Sequence, residues 1–160
     1  EISALDLDNV NVSSTKIREA LLKGDMETAT RFLGYDYPLS GVVVESSKIG
    51  HSLGFPTANI VPSDRVKLIP ADGVYAVSAF FSGKEYKGMM NIGMKPTLNN
   101  QNKRTMEVHI FDFDQNIYDR ELRVTFKKKL RNEIKFNNLE ELKKQLEVDK
   151  IRSLEILRYT

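Results

Sequence analysis

Thr105-Met106-Glu107-Val108-His109-Ile110-Phe111 is the stretch that decides the fold. Met106, Val108 and Ile110 face one way; Thr105, Glu107, His109 and Phe111 face the other. That period of two marks a strand with one face in a core. The opposite face carries a carboxylate in mid-strand. A carboxylate there can accept a proton from a substrate hydroxyl. An outward glutamate on a half-exposed sheet is the commoner case, and His109 beside it is equally open to a structural use.

Strand signals extend on both sides. Leu39–Glu45 carries Val42-Val43-Val44, and Gly73–Phe81 is a long β-rich run. Ser82-Gly83 predicts a hairpin turn into Glu85–Asn91. Asp114-Gln115-Asn116 turns the chain before Leu122, Val124 and Phe126 alternate again. Helices are expected only at the ends. Ser13-Ser14-Thr15 offers N-cap hydroxyls to a short helix with Ile17, Ala20, Leu21 and Leu22, closed by Gly24. Asp25 predicts the cap of a second, with Ala29, Phe32 and Leu33 inside and Gly34 after it. Tyr35–Pro38 reads as a linker. Asn138 with Glu141 three residues on predicts the start of a C-terminal helix. Its apolar positions are Leu139, Leu142, Leu146, Leu154 and Leu157. Five or more closely spaced strands between helical ends, with no βαβ alternation, predict a mainly β fold: a small antiparallel barrel with two N-terminal helices and a C-terminal helix.

The 160 residues suffice for one ordinary domain, alone or with an appendage. The absence of cysteine excludes disulfides, thiolate zinc sites and a cysteine nucleophile. Two histidines exclude a histidine-based metal cluster. A net charge of +2 is too small to argue for nucleic acid as the main partner. No run approaches the length of a membrane span and no signal-peptide pattern opens the chain, so a cytoplasmic protein is expected. Opening on Glu1 rather than methionine, the chain reads as a piece of a longer protein.

Gly54-Phe55-Pro56-Thr57-Ala58-Asn59 is the densest candidate for chemistry. Proline fixes where a strand begins, and an extended 57–60 puts Thr57 and Asn59 on one face. A hydroxyl and a carboxamide side by side suit a hard cation such as Mg²⁺ with a phosphate; the same pair also occurs on strands that bind nothing. The preceding loop, Ser46 to Gly54, offers Gly50 and Gly54 for backbone approach to phosphates and Lys48 and His51 for charge. A plain connector has the same composition. Asn91-Ile92-Gly93-Met94-Lys95-Pro96-Thr97 reads as a turn-rich segment, either structural or closing over a nucleotide. Lys127-Lys128-Lys129-Leu130-Arg131 is a basic strand end, and Arg131 with Phe136 could cover an aromatic ligand.

In this order, Leu53-Gly54-Phe55-Pro56-Thr57-Ala58-Asn59, Gly73-Val74-Tyr75, Met90-Asn91-Ile92-Gly93, Pro96-Thr97, Glu107 to Phe113 and Leu130-Arg131 resemble a riboflavin kinase domain of the bacterial bifunctional riboflavin kinase/FAD synthetases. The resemblance spans about Pro38 to Leu157. It implies a six-stranded antiparallel Greek-key barrel that phosphorylates the ribityl 5′-hydroxyl of riboflavin with ATP and Mg²⁺, giving FMN and ADP. It further implies Glu107 as base, and Thr57 and Asn59 at the metal. Lys48, Gly50, His51, Gly54 and Asn91 would lie at the ATP phosphates, and Arg131 and Phe136 near the flavin. His51 stands where the family has arginine, and Asp119 where it has a turn glycine.

Val12-Ser13-Ser14-Thr15-Lys16-Ile17-Arg18 resembles the motif that closes the adenylyltransferase domain of the same enzymes, but the His-x-Gly-His partner motif is missing. Residues 1–36 are therefore expected to be the end of an FMN adenylyltransferase domain plus linker, and 37–160 the kinase domain, which would not make FAD by itself. The rival readings are a flavin-binding barrel module without kinase activity, and a non-catalytic scaffold that docks to a separate adenylyltransferase.

Overall fold

A computed structural model describes residues 4–46, 49–96 and 101–158. Among these, six strands close into one antiparallel barrel with the order β1-β2-β5-β4-β3-β6. The strands are β1 Pro38–Val44, β2 Ala58–Pro62, β3 Gly73–Phe81, β4 Lys84–Pro96, β5 Asn102–Ile110 and β6 Glu121–Arg131. Hairpins join β3 to β4 and β4 to β5, and β6 returns to β3 on the far side, so the closure is a Greek key. Ser82 and Gly83 both take positive φ (50° and 78°), the backbone of the tight hairpin turn expected there. Asp119 adopts φ 63°, so the aspartate in place of a turn glycine does take the left-handed conformation.

Alternation fills the barrel as the sequence predicts. Met106 and Val108 meet Tyr75, Val77, Met90, Ile92, Leu122 and Phe126 inside, each at most 2% exposed. Tyr75 stacks edge-on against Phe126 at 5.2 Å. Its hydroxyl donates to the Ala71 carbonyl, and burial raises its pKa. Tyr37 donates to the Leu68 carbonyl, and burial pushes it up to about 12.

Four helices are described: α1 Ala4–Lys23, α2 Met26–Leu33, α3 Ile49–Ser52 and α4 Leu139–Leu157. The caps of α2 and α4 are as expected. Asp25 accepts from the Thr28 N–H, Gly34 ends α2 at φ 86°, and Asn138 accepts from the Glu141 N–H. The start of α1 is not. Ser13-Ser14-Thr15 does not cap a short helix, because α1 runs unbroken through it. Serine and threonine inside a helix cost only a few tenths of a kcal/mol each relative to alanine, which a helix that packs by its far end tolerates. Ala20, Leu21, Met26 and Ala29 do pack, entering the same buried cluster as the barrel strands.

Two further expectations need correction. Residues 91–96 are not a turn but the continuation of β4, paired to β5 as far as Pro96 with Asn102. The segment 46–54, expected as a loop, holds the short helix α3 at Ile49–Ser52. Thr97 lies outside the described residues. α4 lies across the outer face of the barrel, with Leu157 on Val74, Ala76 and Leu130 and, nearer its start, Leu146 on Phe55, Met89 and Phe111.

Candidate active site

One row of side chains crosses the outer face of the barrel. Asn59 is the register partner of Glu107, Glu107 of Asn91, Asn91 of Val74, and Val74 of Arg131. Directly opposed residues on one face of a sheet have Cβ atoms about 4.5–5.5 Å apart. The alternation that sends Met106 and Val108 inward therefore places Glu107 between two carboxamides.

A cleft opens over this row beneath α4 and the segment that leads into it. Thr57, Asn91, Lys95, Glu107, His109, Arg131 and Glu133 supply its polar lining, and residues such as Val74, Met89, Ile134, Phe136, Leu142 and Leu146 its apolar wall. Gly50 lines it too. A second cleft lies on the other side of Thr57, between α3 and the turn after β5, and takes in His51, Pro56, Gln115, Asn116 and Tyr118. Thr57 lines both. Gly54 and Asn59 line neither; Asn59 stands behind Glu107 in the row, and Gly54 holds φ 86° at the end of the α3 turn. Lys48 lies outside the described residues.

Glycine at position 50 has a packing reason: a Cβ there would strike the Phe55 carbonyl. The Phe55 N–H also donates to the Gly50 carbonyl at 2.7 Å. These contacts fold 50–55 into a tight unit that delivers Pro56-Thr57 to the sheet.

The Thr57 hydroxyl is held by Ser46. Ser46 Oγ donates to the Thr57 carbonyl at 2.7 Å and lies 2.8 Å from Thr57 Oγ1. A serine hydroxyl has one proton. With that proton on the carbonyl, the proton between the two hydroxyls comes from Thr57, whose lone pairs stay free to accept a cation.

His109 fixes the same strand from beneath. Its Nδ1 is 2.7 Å from the Pro56 carbonyl, and since a carbonyl only accepts, Nδ1 carries the proton. Phe55 and Phe111 meet the ring edge-on at 5.2 Å and 5.5 Å. Burial lowers its pKa, and nearby Lys150 adds to this against the opposing effect of the Pro56 carbonyl. A histidine held neutral in the fold favours the native state above its unfolded pKa, about 6.5, and that contribution is lost as the pH falls. The urea midpoint should therefore drop from neutral pH to about pH 5, less steeply in His109→Gln; equal slopes would contradict this.

Arg131 is less free than its sequence context suggests. Its guanidinium grips Asp149 of α4 through Nε at 3.0 and 3.1 Å and Nη2 at 2.8 Å, and lies over the Phe136 ring. Asp149 is fully buried and also accepts from Gln145. The arginine is thus a strut between β6 and α4 that forms part of the cleft floor. Sequence reasoning missed Asp149, although a signal was present: Leu142, Leu146, Asp149, Ser153 and Leu157 recur at helical spacing, so a charge falls on the buried stripe.

The family model for riboflavin kinase, Flavokinase, matches residues 33–157. Curated relatives include the bifunctional riboflavin kinase/FMN adenylyltransferases of Haemophilus influenzae, 45% identical over 89% of this chain and 46% of that protein, and of Bacillus subtilis, 39% identical over 99% and 49%. The chain spans about half the length of the curated relatives it matches. Among solved structures, a Streptococcus pneumoniae protein described as a macrolide-efflux protein superposes with a TM-score of 0.81 at 36% identity, over 88% of this chain and 45% of that one. Riboflavin kinase from Trypanosoma brucei superposes with 0.52 at 21% identity, over 76% and 79%, a likeness of fold. Among the described residues no helix is long and apolar enough to cross a membrane.

Proposed function

The chain belongs to the riboflavin kinase family, and we propose that it transfers the γ-phosphoryl group of ATP to the ribityl 5′-hydroxyl of riboflavin, giving FMN and ADP. The observation that carries the assignment of sides is that Thr57 is common to both clefts. The apolar cleft with Met89, Phe136 and Leu146 suits the flavin ring and holds Glu107. The cleft beside His51 and Asn116, on the far side of Thr57 from the apolar wall of Met89, Phe136 and Leu146, is left for the nucleotide. Acceptor and donor then meet at Thr57.

Glu107 orients the 5′-hydroxyl and takes its proton as the O–P bond forms and the bond to the β-phosphate oxygen breaks. Arg131 and Phe136 bound the flavin side, whose lining Gly50 shares, and His51 bounds the phosphate side; Gly54 and Lys48 are assigned to the phosphates by the family resemblance alone. Thr57, and Asn59 by the family resemblance, would supply oxygen donors for Mg²⁺, and the described residues contain no His/Cys/Asp/Glu cluster of the kind that selects a transition metal. When bound, Mg²⁺ neutralises charge on the phosphates. The chain's own contribution is positioning: Ser46 turns the Thr57 hydroxyl, and His109 holds the Pro56 carbonyl.

Thr57→Ala should raise the KM for Mg·ATP about tenfold, in line with the loss of one hydrogen bond or ligand to a charged group, while riboflavin affinity changes little. Thr57→Ser should restore most of it. The same Mg²⁺ dependence in wild type and Thr57→Ala would sink the role.

Residues 1–36 are proposed to be the end of an adenylyltransferase domain plus linker, residues 37–160 the kinase, and the cytoplasm the place of action. Incubation with riboflavin, ATP and Mg²⁺ followed by chromatography of the flavins tests the whole reading. FMN with ADP supports it. Bound riboflavin without ATP consumption would mark a binding module, and FAD would contradict the assignment of 1–36.

A further inference from the structure

Asn91 is assigned above only by resemblance, to the phosphates. The geometry argues for a different partner. The Asn91 carboxamide oxygen is buried and has no hydrogen-bond partner among the described residues. A buried acceptor left unpaired is costly, so natural structures keep one only where something else satisfies it. Asn91 lines the apolar cleft, not the one beside His51. On its own row it lies between Glu107 and Val74, and Glu107 separates it from Asn59. Two side chains able to accept thus stand side by side in the row, the Glu107 carboxylate and the Asn91 carboxamide, both lining one cleft whose other carboxylate, Glu133, lies outside the row. A phosphate, itself rich in acceptors, would leave that oxygen unpaired. A polyol chain supplies hydroxyl donors one carbon apart.

We infer that Asn91 is a specificity residue for the acceptor: it takes the hydrogen bond of a secondary hydroxyl one or two carbons from the hydroxyl that Glu107 engages. This rests on the reading of the apolar cleft as the flavin side. In riboflavin the hydroxyl concerned is at C4′ or C3′ of the ribityl chain. Val74, on the far side of Asn91, offers no polar atom from its side chain to the next hydroxyl along, so C2′ is not read at this row.

The test compares riboflavin with its 4′-deoxy, 3′-deoxy and 2′-deoxy analogues, in wild type, Asn91→Leu and Asn91→Asp. In wild type, either the 4′-deoxy or the 3′-deoxy analogue should lose on the order of tenfold to a hundredfold in kcat/KM, as expected for a buried acceptor left unpaired. The 2′-deoxy analogue should react almost as riboflavin does. Asn91→Leu should be slow on riboflavin and should no longer distinguish the deoxy analogue from it. Asn91→Asp, which keeps an acceptor, should retain the distinction. A structural role alone would lower all substrates equally and leave the ratio intact. An unchanged ratio in Asn91→Leu, or a wild type indifferent to both the 4′- and 3′-hydroxyls, would overturn the inference. Failure of the underlying reading shows separately, as a wild type that does not phosphorylate riboflavin at all.

Discussion

Glu107→Gln is expected to abolish FMN formation while riboflavin still binds. The glutamine matches glutamate in shape and stays in the row between Asn59 and Asn91. What it loses is the ability to take a proton, and a positioned general base contributes about 10²–10⁴ in rate. Glu107 is half-buried and enters no ion pair among the described residues, so stability should barely change. Binding is read by quenching of flavin fluorescence and turnover by chromatography. A variant that turns over normally would remove Glu107 from the chemistry, and a variant that no longer binds riboflavin would make it a binding group instead.

The largest effect on stability is expected at Asp149. The carboxylate is fully buried, and the Arg131 side chain that grips it is only 12% exposed. Removing one member of such a pair leaves the other charge buried without a partner, which costs about 3–5 kcal/mol. Asp149→Ala should lower the stability by that amount in urea, a large share of the roughly 5–15 kcal/mol that an ordinary domain possesses. The loss should also loosen α4 from β6. Arg131 and Phe136 both line the cleft proposed for the flavin, so riboflavin affinity should fall as well. A loss below about 1 kcal/mol would mean that the pair behaves as a surface ion pair does. Leucine at both positions 131 and 149 would be a useful companion: well-packed apolar replacements of buried pairs are often neutral, so stability should return while flavin binding does not.

How far the sequence reveals this molecule depends on the range of the forces involved. Strand alternation is local, and Met106, Val108 and Ile110 against Glu107 and His109 show it directly. Caps are local as well: Asp25 and Asn138 accept through their side chains from the N–H three residues on, and Gly34 ends α2 by its left-handed backbone. The run through Ser13-Ser14-Thr15 misleads because a cap residue is only a permitted start, and α1 continues past it. Asn91 to Pro96 misleads for a related reason. Glycine and proline suggest a turn, yet pairing to β5 continues because the extended strand finds partners as far as Asn102. At the site, Thr57, Asn59 and Glu107 are legible as residue types in a strand context. Their supports are not. Ser46 on Thr57, His109 on the Pro56 carbonyl and Asp149 on Arg131 each join residues 11 to 53 positions apart, and only strand pairing or the docking of α4 brings them together. The separate placement of Asn91, on the apolar side of Glu107, likewise follows from register and not from spacing.

The measurement that tests the central claim most directly is transfer of label from γ-³²P-ATP to riboflavin in the presence of Mg²⁺. The account predicts labelled FMN together with an equal amount of unlabelled ADP, with label transfer abolished in Glu107→Gln. Label that appears only as inorganic phosphate, or that reaches FMN equally well in Glu107→Gln, would contradict it.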